Sequence, residues 1–153
     1  MIHLLLYLLL VLGIETATTP QATWNQEEPC GAWTLTCRSA LSYHGLEPDE
    51  VVAQFHARVP GDGLGGGEWL TLLELFGWTQ WCESRHDPLA IGDFDRFGRG
   101  HSRGLWQFSD TFQPQISDAF AFSPWASTYE AAKQWSEGYA TRWSCYRIAM
   151  GRN

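Results

Sequence analysis

Two short segments hold the residues best suited to chemistry: Trp81-Cys82-Glu83-Ser84-Arg85-His86-Asp87-Pro88, and Gly104-Leu105-Trp106-Gln107-Phe108 with Thr111-Phe112 just after it. Glu83 closes an apolar segment beside a cysteine, and Pro88 stops any helix soon afterwards. A carboxyl emerging from such an aromatic setting is desolvated, which disfavours its charged form and raises its pKa. Kept protonated near neutral pH, it can act as a general acid. Asp93 and Asp95 lie between the two segments and are the candidates for a second carboxylate. Asp93-Phe94-Asp95 with Gly98 is a poor calcium loop: Phe97 stands where a ligand is needed and no bidentate Glu follows, so no metal is expected. Arg85, Arg96, Arg99 and Arg103 crowd the same region. They either fork onto carboxylates of an anionic glycopeptide or neutralise Asp87, Asp93 and Asp95 locally. His86 and His101 are given no role.

The elements that must position these groups follow from pattern. Glu68 to Phe76 is apolar nearly all round, which predicts a helix inside a core, broken or bent at Gly77 and resumed through Glu83. Gly92 to His101 is glycine-rich and aperiodic, which predicts a long loop. Ser127 to Gly138 predicts a helix with Ser127 and Glu130 as a capping box, Gly138 as the stop, and Tyr129, Ala131, Ala132 and Trp135 inward. Glu47 to Phe55, with Pro48 near the first turn and acids behind it, predicts a short helix. The segment between Cys30 and Cys37 has a strand-like composition. Gly61 to Gly67 predicts a flexible junction; it lacks the Lys and Ser/Thr of a phosphate-binding P-loop.

The 153 residues allow one domain plus a leader. Ile2 to Ile14 is an apolar run shorter than the roughly 20 residues of a membrane span, which fits a signal peptide over residues 1–22, with a retained anchor as the alternative. Thr18 to Glu28 reads as a polar tether. An N-terminal segment over 23–66 and a catalytic domain over 67–153 complete the division. With a leader ahead, four cysteines point to two disulfides, and the absence of any C-x-x-C spacing argues against zinc. The short loop favours Cys30–Cys37, leaving Cys82 for Cys145. A net charge of −7 without a basic stripe excludes nucleic acid as a partner. Nine tryptophans suit a carbohydrate cleft or a small core that needs large side chains.

Glu83-Ser84, then Asp87-Pro88-Leu89-Ala90-Ile91, then Ser102-Arg103-Gly104-Leu105-Trp106-Gln107-Phe108 resembles the lysozyme-like superfamily. The pattern is nearest to the soluble lytic transglycosylases, with their Glu-Ser and Gly-Leu-(aromatic or Met)-Gln motifs. Cys82-Glu83-Ser84, with Gln107-Phe108 through Thr111-Phe112, is similar to the resuscitation-promoting factors of bacteria. The likeness covers Trp69 to Tyr146. It implies a mainly α, disulfide-bonded, lysozyme-like domain whose buried central helix carries the catalytic Glu83. It implies cleavage of peptidoglycan glycan strands between N-acetylmuramic acid and N-acetylglucosamine by a secreted or cell-envelope monomer without cofactor or metal. Ser84, Trp106 and Gln107 would bind substrate, with Ser84 and Gln107 also placing the Glu83 carboxyl. Resuscitation-promoting factors pair the cysteine before their glutamate with one near the carboxy terminus, which supports Cys82–Cys145. The Ala-Tyr-Asn motif of larger transglycosylases is missing; Tyr139, Trp143 and Tyr146 can replace it on the cleft wall or serve as core. Chicken-type lysozymes place a catalytic Asp where this chain has Ser102. Two routes are then left: lytic transglycosylation, which is favoured, or inverting hydrolysis with Asp93 or Asp95 as base, about 6.5–9.5 Å from the acid. A degenerate module that binds glycan or protein without cleavage is the rival from another class.

Overall fold

The computed structural model describes residues 23–56, 64 and 66–152. The expected leader and most of the expected glycine junction lie outside the described residues. A 3-10 turn at Gly31–Trp33 leads into helix α1 (Thr34–Tyr43), followed by strands β1 (Val51–Gln54) and β2 (Trp69–Thr71). Helix α2 (Leu72–Ser84) comes next, then strands β3 (Ile91–Phe94), β4 (Gly100–Arg103) and β5 (Phe108–Ser109). Helices α3 (Asp118–Ala121) and α4 (Pro124–Ser136), a 3-10 turn at Ala140–Arg142 and helix α5 (Ser144–Ala149) complete the chain. Strands β1 and β2 form one antiparallel pair, and β3-β4-β5 form a second antiparallel sheet. The expectation of a mainly α fold is therefore met only in part, because two small sheets flank the helices.

Helix α2 is the centre. Leu73, Leu75, Phe76, Trp78, Thr79, Gln80 and Trp81 are all buried, so the helix is wrapped on every side. Phe76 packs on Trp106 at 4.2 Å and Trp135 at 4.9 Å, while Trp78 meets Phe55 at 4.8 Å. Each large apolar side chain so buried contributes about 1.5–3 kcal/mol. The helix starts at Leu72 rather than Glu68, because Trp69–Thr71 pair with β1 and Thr71 is the N-cap. Thr71 Oγ1 accepts from the Glu74 backbone N–H at 3.2 Å, and Glu74 Oε2 accepts from the Thr71 N–H at 2.7 Å. The next two free N–H groups are also satisfied: Leu72 donates to the Glu50 carbonyl and Leu73 to that of Pro48. This explains why residues 47–55 do not form the expected helix. Their carbonyls face the start of α2, β1 pairs with β2, and Ala53 and Phe55 alternate inward.

Gly77 does not break α2, which runs without interruption from Leu72 to Ser84. A Cβ at that position would run into the Pro29 carbonyl, so the glycine permits backbone of the N-terminal segment to lie against the helix. The Cys30–Cys37 segment is helical rather than strand-like, since Cys37, Ala40 and Leu41 recur at helical spacing and are buried. Helix α4 begins earlier than expected. Ser123 is its N-cap, accepting from the Ala126 N–H, and Pro124 occupies the first turn. Ser127 is buried, and its hydroxyl bonds the Pro124 carbonyl. The expected loop over 92–101 is largely the β3–β4 hairpin. One hydrophobic cluster includes Trp24, Cys37, Leu41 and Phe55 together with Leu73, Trp106, Trp135 and Ala149, so described residues on both sides of the expected boundary share a core. Both expected disulfides are present, Cys30–Cys37 with Cα atoms 6.6 Å apart and Cys82–Cys145 with 5.9 Å. The second closes a separation of 63 residues, for which loop entropy gives roughly 4 kcal/mol. Two disulfides match an oxidising, extracytoplasmic setting. Among the described residues no helix is long and apolar enough to cross a membrane.

Replacing Gly77 with Ala should lower stability by about 1–3 kcal/mol, although alanine favours helix in isolation. Urea unfolding of the variant checks this; a gain in stability would show that Pro29 does not press on α2.

Candidate active site

Glu83 lies in the last turn of α2, where the helix leaves the core. The turn is closed by Arg85 in the left-handed region at φ 58°, its N–H bonded to the Trp81 carbonyl at 2.6 Å. The Arg85 guanidinium bonds the Trp81 and Cys82 carbonyls and stacks 3.9 Å over the Trp81 ring. It therefore serves the helix end as a cation at the negative pole. On the opposite side, the start of α5 meets Glu83. Its Oε1 accepts from the Ser144 hydroxyl at 3.1 Å and from the Cys145 N–H at 3.0 Å. Oε2 makes no hydrogen bond among the described residues. Burial raises the Glu83 pKa, the two donors from α5 oppose it, the charge of Asp93 adds to the rise, and Arg147 lowers it.

The hairpin brings the second segment to the first. Asp93, in the left-handed region at φ 53°, accepts a hydrogen bond from the Ser102 hydroxyl across the β3–β4 pair. Gln107, also left-handed at φ 47°, donates to the Gly104 carbonyl at 2.9 Å and the Ala90 carbonyl at 3.2 Å. Its Oε1 lies over Gly92, where a Cβ would collide with it. The four described non-glycine residues with positive φ are Arg85 and His86 in the first segment, Gln107 in the second, and Asp93 on β3 between them. Such conformations cost about 1–3 kcal/mol each and cluster where geometry serves a site.

The remaining candidates are placed differently. Ser84 is buried and bonds the Gln80 carbonyl in its own helix at 3.1 Å, so its hydroxyl does not hold the Glu83 carboxyl. Gln107 likewise directs its amide to backbone rather than to Glu83. Trp106 is fully buried, its indole bonded to Thr128 Oγ1, and Trp143 is buried with its indole on the Trp106 carbonyl at 2.8 Å. Both are core residues rather than a cleft wall. Tyr146 packs on Trp135 at 5.1 Å. Tyr139 is exposed beside the Arg142 guanidinium, 4.1 Å from it. Asp95 is occupied by the hairpin turn. It accepts from the Phe97 and Arg99 N–H groups and lies 3.4 Å from His101, contacts that hold its carboxyl below the ordinary range, the backbone donors most of all. His101 also bonds Asp110 at 2.8 Å, and the two carboxylates raise its pKa, Asp110 foremost. The arginines find other partners than expected: Arg99 pairs with Asp110 and Arg103 with Asp118, while Arg96 lies over the Phe97 ring. Among the described residues no group of His, Cys, Asp and Glu suits a metal ion. Ser144 is the functional candidate that sequence reading missed. Its adjacency to Cys145 was the available signal, since pairing Cys145 with Cys82 brings its neighbours to Glu83.

His86 is buried just beyond Glu83, with Nδ1 2.8 Å from Gln80 Oε1. Burial pushes its pKa down to about 3. The unfolded chain then binds a proton below pH ~6.5 that the folded chain resists until about 3, so acidification through that window removes stability. Thermal unfolding should therefore lose Tm between pH 7 and 4 more steeply in the wild type than in His86→Gln. Equal slopes would mean that His86 is protonated in the folded protein.

No protein-family model, curated protein or solved structure matches the chain.

Proposed function

We propose that the chain is a lysozyme-like enzyme that cleaves the glycan strand of peptidoglycan between N-acetylmuramic acid and N-acetylglucosamine, with Glu83 as the general acid. The observation that carries this reading is a carboxyl at the end of a core helix, raised in pKa by burial, with one oxygen fixed by two donors and the other unbonded. The unbonded oxygen carries the proton to the glycosidic oxygen. The hairpin beside it supports a sugar substrate. Ile91, Phe94 and Phe97 are exposed there, and apolar and aromatic side chains pack well on the C–H faces of pyranose rings. Gln107 Oε1 adds an open acceptor over Gly92, suited to an N–H or hydroxyl of an acetamido sugar.

Lytic transglycosylation remains the favoured outcome. The substrate acetamido oxygen bonds the anomeric carbon as the leaving sugar departs with the Glu83 proton. The muramic 6-hydroxyl then displaces that oxygen and gives its proton to the Glu83 carboxylate, so no second protein carboxylate is required. One observation favours inverting hydrolysis as a second reading. Asp93 is held by Ser102, and its charge is felt at Glu83, so a carboxylate does stand near the acid. Asp95 is the poorer base, because its oxygens are spent on the turn and on His101.

Glu83→Gln keeps size and helix geometry but removes the proton donor, and turnover of purified peptidoglycan should fall by about two orders of magnitude or more. Wild-type rates in that variant would remove Glu83 from the chemistry. No turnover by the wild type would favour a module that binds without cleaving. Asp93→Asn should retain activity to within about tenfold if the acetamido group assists. A loss on the order of a hundredfold would move the reading to hydrolysis with Asp93 as base.

A further inference from the structure

Three features of the α2–α5 junction meet at one oxygen. Cys82 precedes Glu83 in the last turn of α2, and its disulfide reaches Cys145 at the start of α5. Cys145 returns its backbone N–H to Glu83 Oε1 at 3.0 Å, and the neighbouring Ser144 adds its hydroxyl at 3.1 Å. The covalent bridge and the two hydrogen bonds close a small ring of contacts around the carboxyl. Trp143, one residue earlier, is itself fixed by its indole bond to the Trp106 carbonyl, so the start of α5 has little freedom to withdraw. We infer that Ser144 is a positioning residue: with the Cys145 N–H it clamps Oε1 of Glu83, assigns the proton to Oε2, and thereby sets the pH range over which the carboxyl is a donor.

The chemistry follows from what each donor prefers. A hydroxyl and an amide N–H both bond a carboxylate more strongly than a neutral carboxyl, so each stabilises the charged form. Desolvation and the Asp93 charge on β3 push the other way, and Arg147 on α5 acts on the side of the donors. Ser144 is the member of this balance whose contact can be removed without emptying the core, because it is exposed while Cys145 is buried. Both donors bind the same oxygen, so they also fix the plane of the carboxyl. A neutral carboxyl with Oε1 so occupied presents its hydroxyl from Oε2, towards the side that α5 leaves open.

The proposal deepens the reading of Glu83 as the acid, and a direct titration keeps the two separable. The experiment follows the Glu83 side-chain carboxyl by carbon NMR in uniformly labelled full-length protein across pH 3–9, for wild type, Ser144→Ala and Ser144→Thr. It is paired with pH–rate profiles on purified peptidoglycan. In Ser144→Ala the Glu83 resonance should titrate about half to one pH unit higher than in wild type, and Ser144→Thr, which keeps the hydroxyl, should return most of the difference. The basic limb of the rate profile should move up by the same amount, with a few-fold loss in kcat on the plateau and little change in KM. A merely structural serine would alter Tm and leave both midpoints in place. An unchanged Glu83 midpoint in Ser144→Ala overturns the clamp. A midpoint that moves while the rate profile does not upholds the clamp and instead counts against Glu83 as the acid.

Discussion

Burial of α2 on every face is the constraint from which the rest of this structure follows. A thirteen-residue helix that presents Leu, Phe and Trp in all directions cannot lie on a surface, so the other elements are arranged to enclose it. The carbonyls of Pro48 and Glu50, just ahead of β1, satisfy its first N–H groups, the Pro29 backbone lies against Gly77, and Trp106, Trp135 and Trp143 form an aromatic wall. Enclosure has one exit. Where the helix must end, Arg85 turns the chain in the left-handed conformation, and two residues before that turn stands the Glu83 carboxylate with only part of its hydration left.

The cost of that position is electrostatic, and the neighbouring contacts balance it. Desolvation and the Asp93 charge favour the neutral carboxyl, while Ser144, the Cys145 N–H and Arg147 favour the charged one. The Cys82–Cys145 bridge makes this balance rigid, since it ties the residue before the acid to the residue that donates to it. A disulfide is usually weighed by the entropy it removes from the unfolded chain. This one also holds the residue that donates to a titrating group.

How much of this was legible depended on whether the deciding contact was local. The apolar run of α2, the exit at Glu83 and the cysteine pairing could all be read, because composition, spacing and loop length carry them. Residues 47–55 misled because proline followed by acids is a good helix start; the strand is decided by pairing with Trp69–Thr71, which no local pattern announces. The hairpin over 91–103 was hidden for a different reason. Ile91 and Phe94 are both exposed and Gly92 stands between them, so β3 shows no inward-outward alternation. Trp106 was readable as aromatic but not as core, and Trp143 stayed open between cleft wall and core, since their buried partners, Thr128 and the Trp106 carbonyl, are remote in sequence. Ser84 sits next to the acid yet turns its hydroxyl into its own helix, whereas Ser144, 61 residues away, reaches the carboxyl.

The central claim is that Glu83 delivers a proton to a glycosidic oxygen and that the substrate itself completes the displacement. Mass spectrometry of the muropeptides released from purified peptidoglycan tests both halves at once. The account predicts products ending in 1,6-anhydro-muramic acid, released by the wild type and absent with Glu83→Gln. Reducing ends in place of the anhydro form, or the same products from Glu83→Gln, would contradict it.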